Sequence, residues 1–235
     1  MNLVSINFKS SDDFIQNLTT LENLVVKSPK CSIILASELC LTGYITKDVD
    51  LSVFNTRAID KLKSLSFEKL ICLTMIIKEG TRKYNRFLAF LDGKIIYSQD
   101  KVKLFEMNKE HYYFEAGKQS DIKIFDAFGL KIGVLICFEL RFINLWEQLK
   151  GADLILIPAM WGKIRKLHLD ILSNSLAIAN QCFVVVSDSF GDEFSQINHI
   201  ITPFGNKLEN LDNLNIQKVD LNEIKKMRRY LPVGL

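Results

Sequence analysis

Apolar positions along this chain recur with two alternating periods. Residues 3–8 read as a strand. Phe14, Leu18, Leu21 and Val25 then recur at helical spacing, behind Ser10 or Ser11 as the capping residue. Residues 31–36 are almost wholly apolar, as a strand buried on both faces requires. A short helical stretch at 60–66 precedes a second such run at 70–77. Residues 86–91 and 94–98 flank Asp92-Gly93, a pair that favours a two-residue hairpin turn. Strands follow at 132–136 and 153–157, separated by a helix around 142–150. Residues 166–181 read as helix and the β-branched run 183–187 as strand. Residues 197–201 and 216–219 close the pattern around the turn Pro203-Phe204-Gly205-Asn206. Many strands with interspersed helices define an α/β chain, with helices packed outside two sheets. Gly and Pro are scattered singly and no repeat or low-complexity tract occurs, so a single domain over residues 1–235 is expected.

Composition adds exclusions. Hydrophobic residues make up 48% and charged residues 24%, which supports a large core and argues against disorder. The formal charge of +3 is small and dispersed, so no nucleic-acid partner is expected. The tightest basic cluster, Lys225, Lys226, Arg228 and Arg229, reads as a solvated face. No apolar run approaches the ~20 residues that span a bilayer, so no membrane partner is expected. The N-terminus has no basic segment before a long apolar run, so no signal peptide is expected either. Five cysteines without a C-x-x-C pair, four of them inside apolar runs, fit a reduced, cytoplasmic protein.

Three segments carry candidate chemistry. In Ala36-Ser37-Glu38-Leu39-Cys40-Leu41-Thr42-Gly43-Tyr44 a carboxylate leaves a buried strand directly, a setting suited to proton transfer. In Lys101-Val102-Lys103-Leu104-Phe105, Lys103 precedes an apolar pair, which suits an ammonium aimed into a cavity to hold an oxyanion. In residues 131–142 an apolar strand ends at Cys137 and an amphipathic helix begins within a few residues. Such a turn exposes a nucleophile, supplies a backbone N–H for an oxyanion and favours the thiolate. Taken singly, each segment also has an ordinary reading: a surface Glu, a solvated Lys, a buried structural Cys.

Taken in order, Glu then Lys then Cys at strand exits, the segments resemble the nitrilase superfamily of carbon–nitrogen hydrolases. The likeness extends through Tyr84-Asn85, the Asp92-Gly93-Lys94-Ile95-Ile96 hairpin, Gly151-Ala152-Asp153, Pro158-Ala159-Met160-Trp161, Ala177-x-x-Asn180-Gln181, Pro203-x-Gly205, Asp220-Leu221 and Arg228-x-x-Leu231-Pro232. The resemblance implies a four-layer αββα sandwich that pairs into homodimers or higher assemblies through the helix after the cysteine. It implies Glu38 as general base, Lys103 as oxyanion-stabilising cation, Cys137 as nucleophile and Glu110 as the glutamate that positions the lysine and substrate. Tyr44, Phe138, Arg141 and Trp161 are expected to line the substrate pocket, and an Arg at 141 or 165 would suit a substrate carboxylate. The expected substrate is a small amide, in an ω-amidase-like or N-carbamoyl amino acid hydrolysing reaction. Nitrile hydrolysis and a non-catalytic binding member of the fold stand as alternatives. A Cys-His-Asp hydrolase would instead need His111, His168 or His199 beside Cys137. No cofactor is expected, and the three histidines lack zinc-like spacing, so no metal is expected. The chain departs from the family pattern in three places. Ser37 stands where Pro is common, the stretch between Tyr44 and the strand at residue 70 is short, and the first strand lacks a glutamine.

Overall fold

The computed structural model describes residues 1–45, 49–210 and 212–234. In chain order the elements are β1 (Asn2–Ile6), α1 (Phe14–Lys27), β2 (Ser32–Ala36), α2 (Ser52–Leu65), β3 (Lys69–Glu79), β4 (Arg82–Leu91), β5 (Lys94–Asp100), β6 (Phe125–Ala127), β7 (Leu130–Val134), α3 (Ile143–Gln148), β8 (Leu154–Pro158), α4 (Lys166–Ala179), β9 (Phe183–Ser187), β10 (His199–Ile201), β11 (Lys207–Glu209), β12 (Leu214–Lys218) and α5 (Asn222–Tyr230). They form two six-stranded sheets, ordered β12-β1-β2-β3-β4-β5 and β11-β10-β9-β8-β7-β6. β1, β2 and β3 run parallel, as do β7, β8 and β9, and antiparallel strands flank both sets.

Alternation along the strands explains the layering. Leu3, Ile33, Leu35, Leu70 and Cys72 belong to the core shared with the second sheet. Their neighbours Val4, Ile34, Ile71 and Leu73 pack with Leu18, Leu21, Val25, Ala58 and Leu62 of α1 and α2. Leu145 and Trp146 of α3 and Leu149 just after it, with Leu169, Leu176 and Ala177 of α4, cover the other side of the second sheet. The result is the αββα sandwich. Two serines stitch its central seam: Ser5 Oγ donates to the Val186 carbonyl at 2.6 Å, and Ser187 Oγ donates to the Ile6 carbonyl. Asp92 and Gly93 both have positive φ (47° and 78°), the backbone that a type I′ hairpin turn demands. Among the described residues no helix is long and apolar enough to cross a membrane, and all five cysteines are free.

Some expectations need correction. The cap of α1 is Asp13, whose carboxylate accepts the Gln16 N–H at 2.9 Å, while Ser11 bonds to Asn17 instead. The helix expected at 60–66 begins a full two turns earlier, at Ser52. β6, β11 and α5 lie outside the sequence pattern because each is short or strongly polar. The basic cluster on α5 is not uniformly solvated. Arg228 donates to the Ala152 carbonyl at 2.6 Å and to Asp153 Oδ1 at 3.1 Å, pinning α5 to the chain entering β8. Arg228→Ala is therefore expected to lower the unfolding free energy by about 1–3 kcal/mol through the lost charge-assisted bonds, whereas Arg229→Ala should be neutral. Urea titration of both variants checks this.

Candidate active site

The carboxyl ends of β2, β5, β7, β8 and β9 deliver Glu38, Lys101, Cys137, Met160 and Asp188 to one end of the seam between the sheets. β5 pairs antiparallel with β4, and β4 with β3, so β5 runs parallel to β2 and its exit falls at the same end. The two sheets meet across the seam, where the Glu38 N–H donates to the Ala159 carbonyl at 3.2 Å. Leu39 takes positive φ (48°) to turn the chain, and its N–H is held by Thr74 Oγ1 at 2.7 Å.

Lys101 is the centre of the cluster. Its side chain is wholly buried, and Nζ donates to Glu38 Oε1 at 2.8 Å, Glu110 Oε1 at 2.9 Å and Tyr44 Oη at 3.1 Å. Glu38 Oε1 also accepts from Asn85 Nδ2 at 2.8 Å, but Glu38 Oε2 is buried with no hydrogen-bond partner. Glu110 receives Tyr44 Oη at 2.8 Å and the Phe105 N–H at 3.0 Å. Burial opposes the charge on Lys101, yet Glu38, Cys137 and Glu110 outweigh it and raise its pKa. Burial and the adjacent Glu38 raise that of Glu110, against the pull of Lys101. Gly117 lets its loop close over this stretch: its N–H donates to the Lys101 carbonyl, and a Cβ there would lie 2.6 Å from the Asp100 carbonyl oxygen.

Cys137 opens a short helical turn, Cys137–Arg141, and adopts positive φ (50°). For a non-glycine residue that backbone is strained by about 1–2 kcal/mol. Burial, then the nearby Glu38, push the thiol pKa well up; Lys101 and the Met160 backbone pull the other way without prevailing. The five-residue turn that Cys137 opens does not offset the desolvation that raises its thiol pKa.

A pocket above the sulfur is lined by Phe105, Phe138, Arg141, Met160, Trp161 and Arg165. The Arg141 guanidinium lies 4.9 Å from the Trp161 ring centroid and that of Arg165 lies 5.1 Å from Phe105, while Phe138 packs on Phe105 at 4.9 Å. Neither guanidinium has a carboxylate partner among the described residues; Arg141 meets only the His168 ring nitrogen, at 2.9 Å. Burial, then the like charge of Arg165, lower the Arg141 pKa. Two partly buried guanidiniums without a carboxylate partner therefore stand beside the thiol.

The structure therefore brings together Glu38, Glu110, Tyr44 and Lys101, places Cys137 in their field, and sets Phe138, Arg141 and Trp161 around the sulfur. It does not bring Lys103 there. Lys103 lies beyond a bend at 102–103, partly exposed, with Nζ 5.1 Å from the Phe142 ring centroid. Lys101 stands in its stead because it precedes the bend: Gln99 and Lys101 are alternate buried positions that continue β5, and the Lys101 N–H extends the ladder to the Asn85 carbonyl at 2.9 Å. Asn85, Glu139 and Asp188 are also site residues without a sequence forecast. Glu139 is wholly buried and accepts two backbone N–H groups, from Val102 and Ile136. Asp188 accepts from the Trp161 N–H at 2.6 Å, the Gln196 N–H at 2.9 Å and Ser195 Oγ, and so holds the loop after β8. Among the described residues no group of histidine, cysteine and carboxylate side chains is arranged to hold a metal ion.

The Carbon-nitrogen hydrolase family matches residues 4–229, so the chain belongs to that family, part of the nitrilase superfamily that its motifs resemble. It is 28% identical to 2-oxoglutaramate amidase of Bacillus subtilis (strain 168), over 93% of this chain and 90% of that protein. It is 30% identical to omega-amidase YafV of Escherichia coli (strain K12), over 67% of this chain and 63% of that protein. Among solved structures, a mutant of the amidase from Nesterenkonia sp. AN1 superposes with a TM-score of 0.83 at 17% identity, covering 98% of this chain and 94% of the other. That structure carries a covalent addition of the acetamide moiety of fluoroacetamide at the active-site cysteine.

Two buried carboxyls give the fold a pH signature. Burial chiefly pushes Glu139 up to about 7 and Asp188 up to about 6, from ordinary values of 4.5 and 3.8. Each group binds its proton more tightly folded than unfolded, so ionisation opposes folding. Their combined contribution to stability grows as pH falls from about 7 toward about 4, and is lost as pH rises through about 6 to 7. Asp188→Asn removes one of the two, so the shift in urea midpoint between pH 5 and pH 8 should shrink. An unchanged shift would rule out Asp188 as a source.

Proposed function

We propose that this chain is an amidase that hydrolyses a small amide bearing a carboxylate, through a thioester on Cys137. One observation carries the reaction: Glu38 Oε1 is saturated by Lys101 and Asn85, while Oε2 is buried, without a partner and close enough to perturb the Cys137 thiol. An acceptor held in that state is a general base waiting for a proton.

In the mechanism that follows, Glu38 Oε2 takes the thiol proton as Cys137 Sγ attacks the amide carbon. The carbonyl oxygen becomes an oxyanion, held by the Lys101 ammonium and the Phe138 N–H, one of the first N–H groups of its turn and so free of a partner within it. Glu38 passes the proton to the amide nitrogen, the C–N bond breaks, ammonia departs and a thioester remains. A water loses its proton to Glu38 and adds to the thioester carbon. The C–S bond then breaks, the acid is released and the thiolate recovers the proton from Glu38. Glu110 and Tyr44 hold Lys101 on the oxyanion side.

Arg141 and Arg165 support the choice of substrate, since they offer two unpaired charges to a carboxylate at the far end of an acyl chain. The name of one relative supports this, because 2-oxoglutaramate is an amide that carries a carboxylate. A panel of ω-amides of dicarboxylic acids, N-carbamoyl amino acids, neutral aliphatic amides and nitriles, followed by ammonia release, tests the reading. ω-Amides should lead the panel. Cys137→Ala should be inactive, Lys101→Met should lose roughly 10²–10³-fold in kcat, and Lys103→Ala should be little changed. Arg141→Ala should raise KM for carboxylated amides alone. Neutral amides turned over as well as carboxylated ones would sink the carboxylate reading. Silence throughout, with Cys137 inert to iodoacetamide, would favour the non-catalytic member of the fold.

We also propose that the chain pairs with a second copy through α4. Leu167, Ile171 and Ile178 recur at helical spacing along one stripe of α4, and Leu167 and Ile164, in the turn just before it, are 65% and 93% exposed. Leu167→Glu with Ile171→Glu should yield monomers by sedimentation velocity. A monomeric parent protein would refute the pairing.

A further inference from the structure

Glu139 is a wholly buried carboxylate that has no ion-pair partner among the described residues, and its two bonds run to different loops. Oε1 accepts the Val102 N–H at 2.6 Å, and Oε2 accepts the Ile136 N–H at 2.6 Å. Val102 follows Lys101 and Ile136 precedes Cys137. One side chain thus spans the peptide beside the buried cation, from the first sheet, and the peptide beside the thiol, from the second. The remaining backbone bonds of Lys101 run to Asn85 and Gly117 and do not reach the cysteine turn. On the other side, the ladder of the second sheet ends at Leu135, whose N–H donates to the Leu156 carbonyl at 3.0 Å.

We propose that Glu139 is a positioning residue whose carboxylate sets the distance between Lys101 and Cys137 by holding the peptide N–H next to each. The proposal rests on the reading of Lys101 and Cys137 as the oxyanion cation and the nucleophile. Both bonds are charge-assisted, the class that fixes geometry most firmly. They act where a displacement of about 1 Å in a reacting group can lose on the order of 10²-fold in rate. The ionised form is required at both oxygens: a protonated carboxyl, or the amide of glutamine, turns one donor toward an N–H and must release it. Burial makes that ionisation unfavourable near neutrality, with Lys101 drawing the carboxylate on and Glu38 repelling it. The Tyr97 phenol is the further titratable group in its field.

The test compares Glu139→Gln and Glu139→Asp with the parent protein in kcat, KM, thermal midpoint and the pH dependence of Cys137 alkylation by iodoacetamide. Glutamine keeps the volume and breaks one bridge, so kcat should fall at least tenfold while KM changes little. The alkylation midpoint should move upward as Lys101 loses its fixed place near the sulfur. Aspartate keeps the charge but is one methylene too short to span both loops, and should show the same kcat loss and midpoint shift in smaller measure. If Glu139→Gln does not fold, the aspartate variant alone decides. Parental kcat with an unmoved alkylation midpoint in a folded variant would overturn the proposal, as would a loss that follows the folded fraction alone. Alkylation reads the thiol without any substrate, so a protein that hydrolyses no amide would refute the amidase reading and leave this one testable.

Discussion

An ammonium ion with no exposed surface dictates the arrangement of everything around it. Removing Lys101 from water costs several kcal/mol unless ionic partners surround the charge, and here Glu38, Glu110 and the Tyr44 hydroxyl do so at 2.8–3.1 Å. Those partners come from separate stretches of chain, so satisfying one charge fixes three loops at once. Two carboxylates around one cation leave an excess of negative charge, and Cys137 sits in its field. Burial and that field together raise the pKa of the thiol.

Backbone strain is placed at the same points. Leu39 and Cys137 both adopt left-handed geometry just after strands, each one residue or less from a reacting side chain. Each is clamped by a specific side chain: Thr74 accepts the Leu39 N–H, and Glu139 accepts the Ile136 N–H just before Cys137. Strain that persists under such clamps marks a geometry the surrounding fold over-determines. Asp188, through Trp161, extends the clamp to the loop after β8.

Much of this architecture was legible in the sequence because period and burial coincide. β2, β8 and β9 are buried on both faces and read as unbroken apolar runs. α1 was legible from Leu18, Leu21 and Val25. Glu38 and Cys137 were legible because each interrupts an apolar run at its exit. Lys101 was not, because a lysine two positions from another lysine on an extended strand points to the same side, and only the bend at 102–103 separates their fates. Continuing the alternation from the buried Gln99 would have favoured Lys101, the nearer of the pair to the ladder. Glu139 and Asp188 were hidden for a different reason. Both are buried through bonds to backbone N–H groups of distant segments, and backbone groups leave no mark on composition or spacing.

The gathering of Glu38, Lys101, Cys137, Met160 and Asp188 at one end of both sheets divides the molecule into two regions of unequal evolutionary freedom. At that end the segments after β2, β5, β7, β8 and β9 each carry a reacting group or a residue that restrains one, so a residue inserted there would disturb chemistry. The opposite end holds connections such as Asp92-Gly93 and Phe128-Gly129, which close hairpins and contribute nothing to the pocket. Length variation, fusion partners and affinity tags can be carried there without reaching the site. A lineage built on this scaffold can therefore acquire new attachments at one pole while its chemistry stays constant at the other.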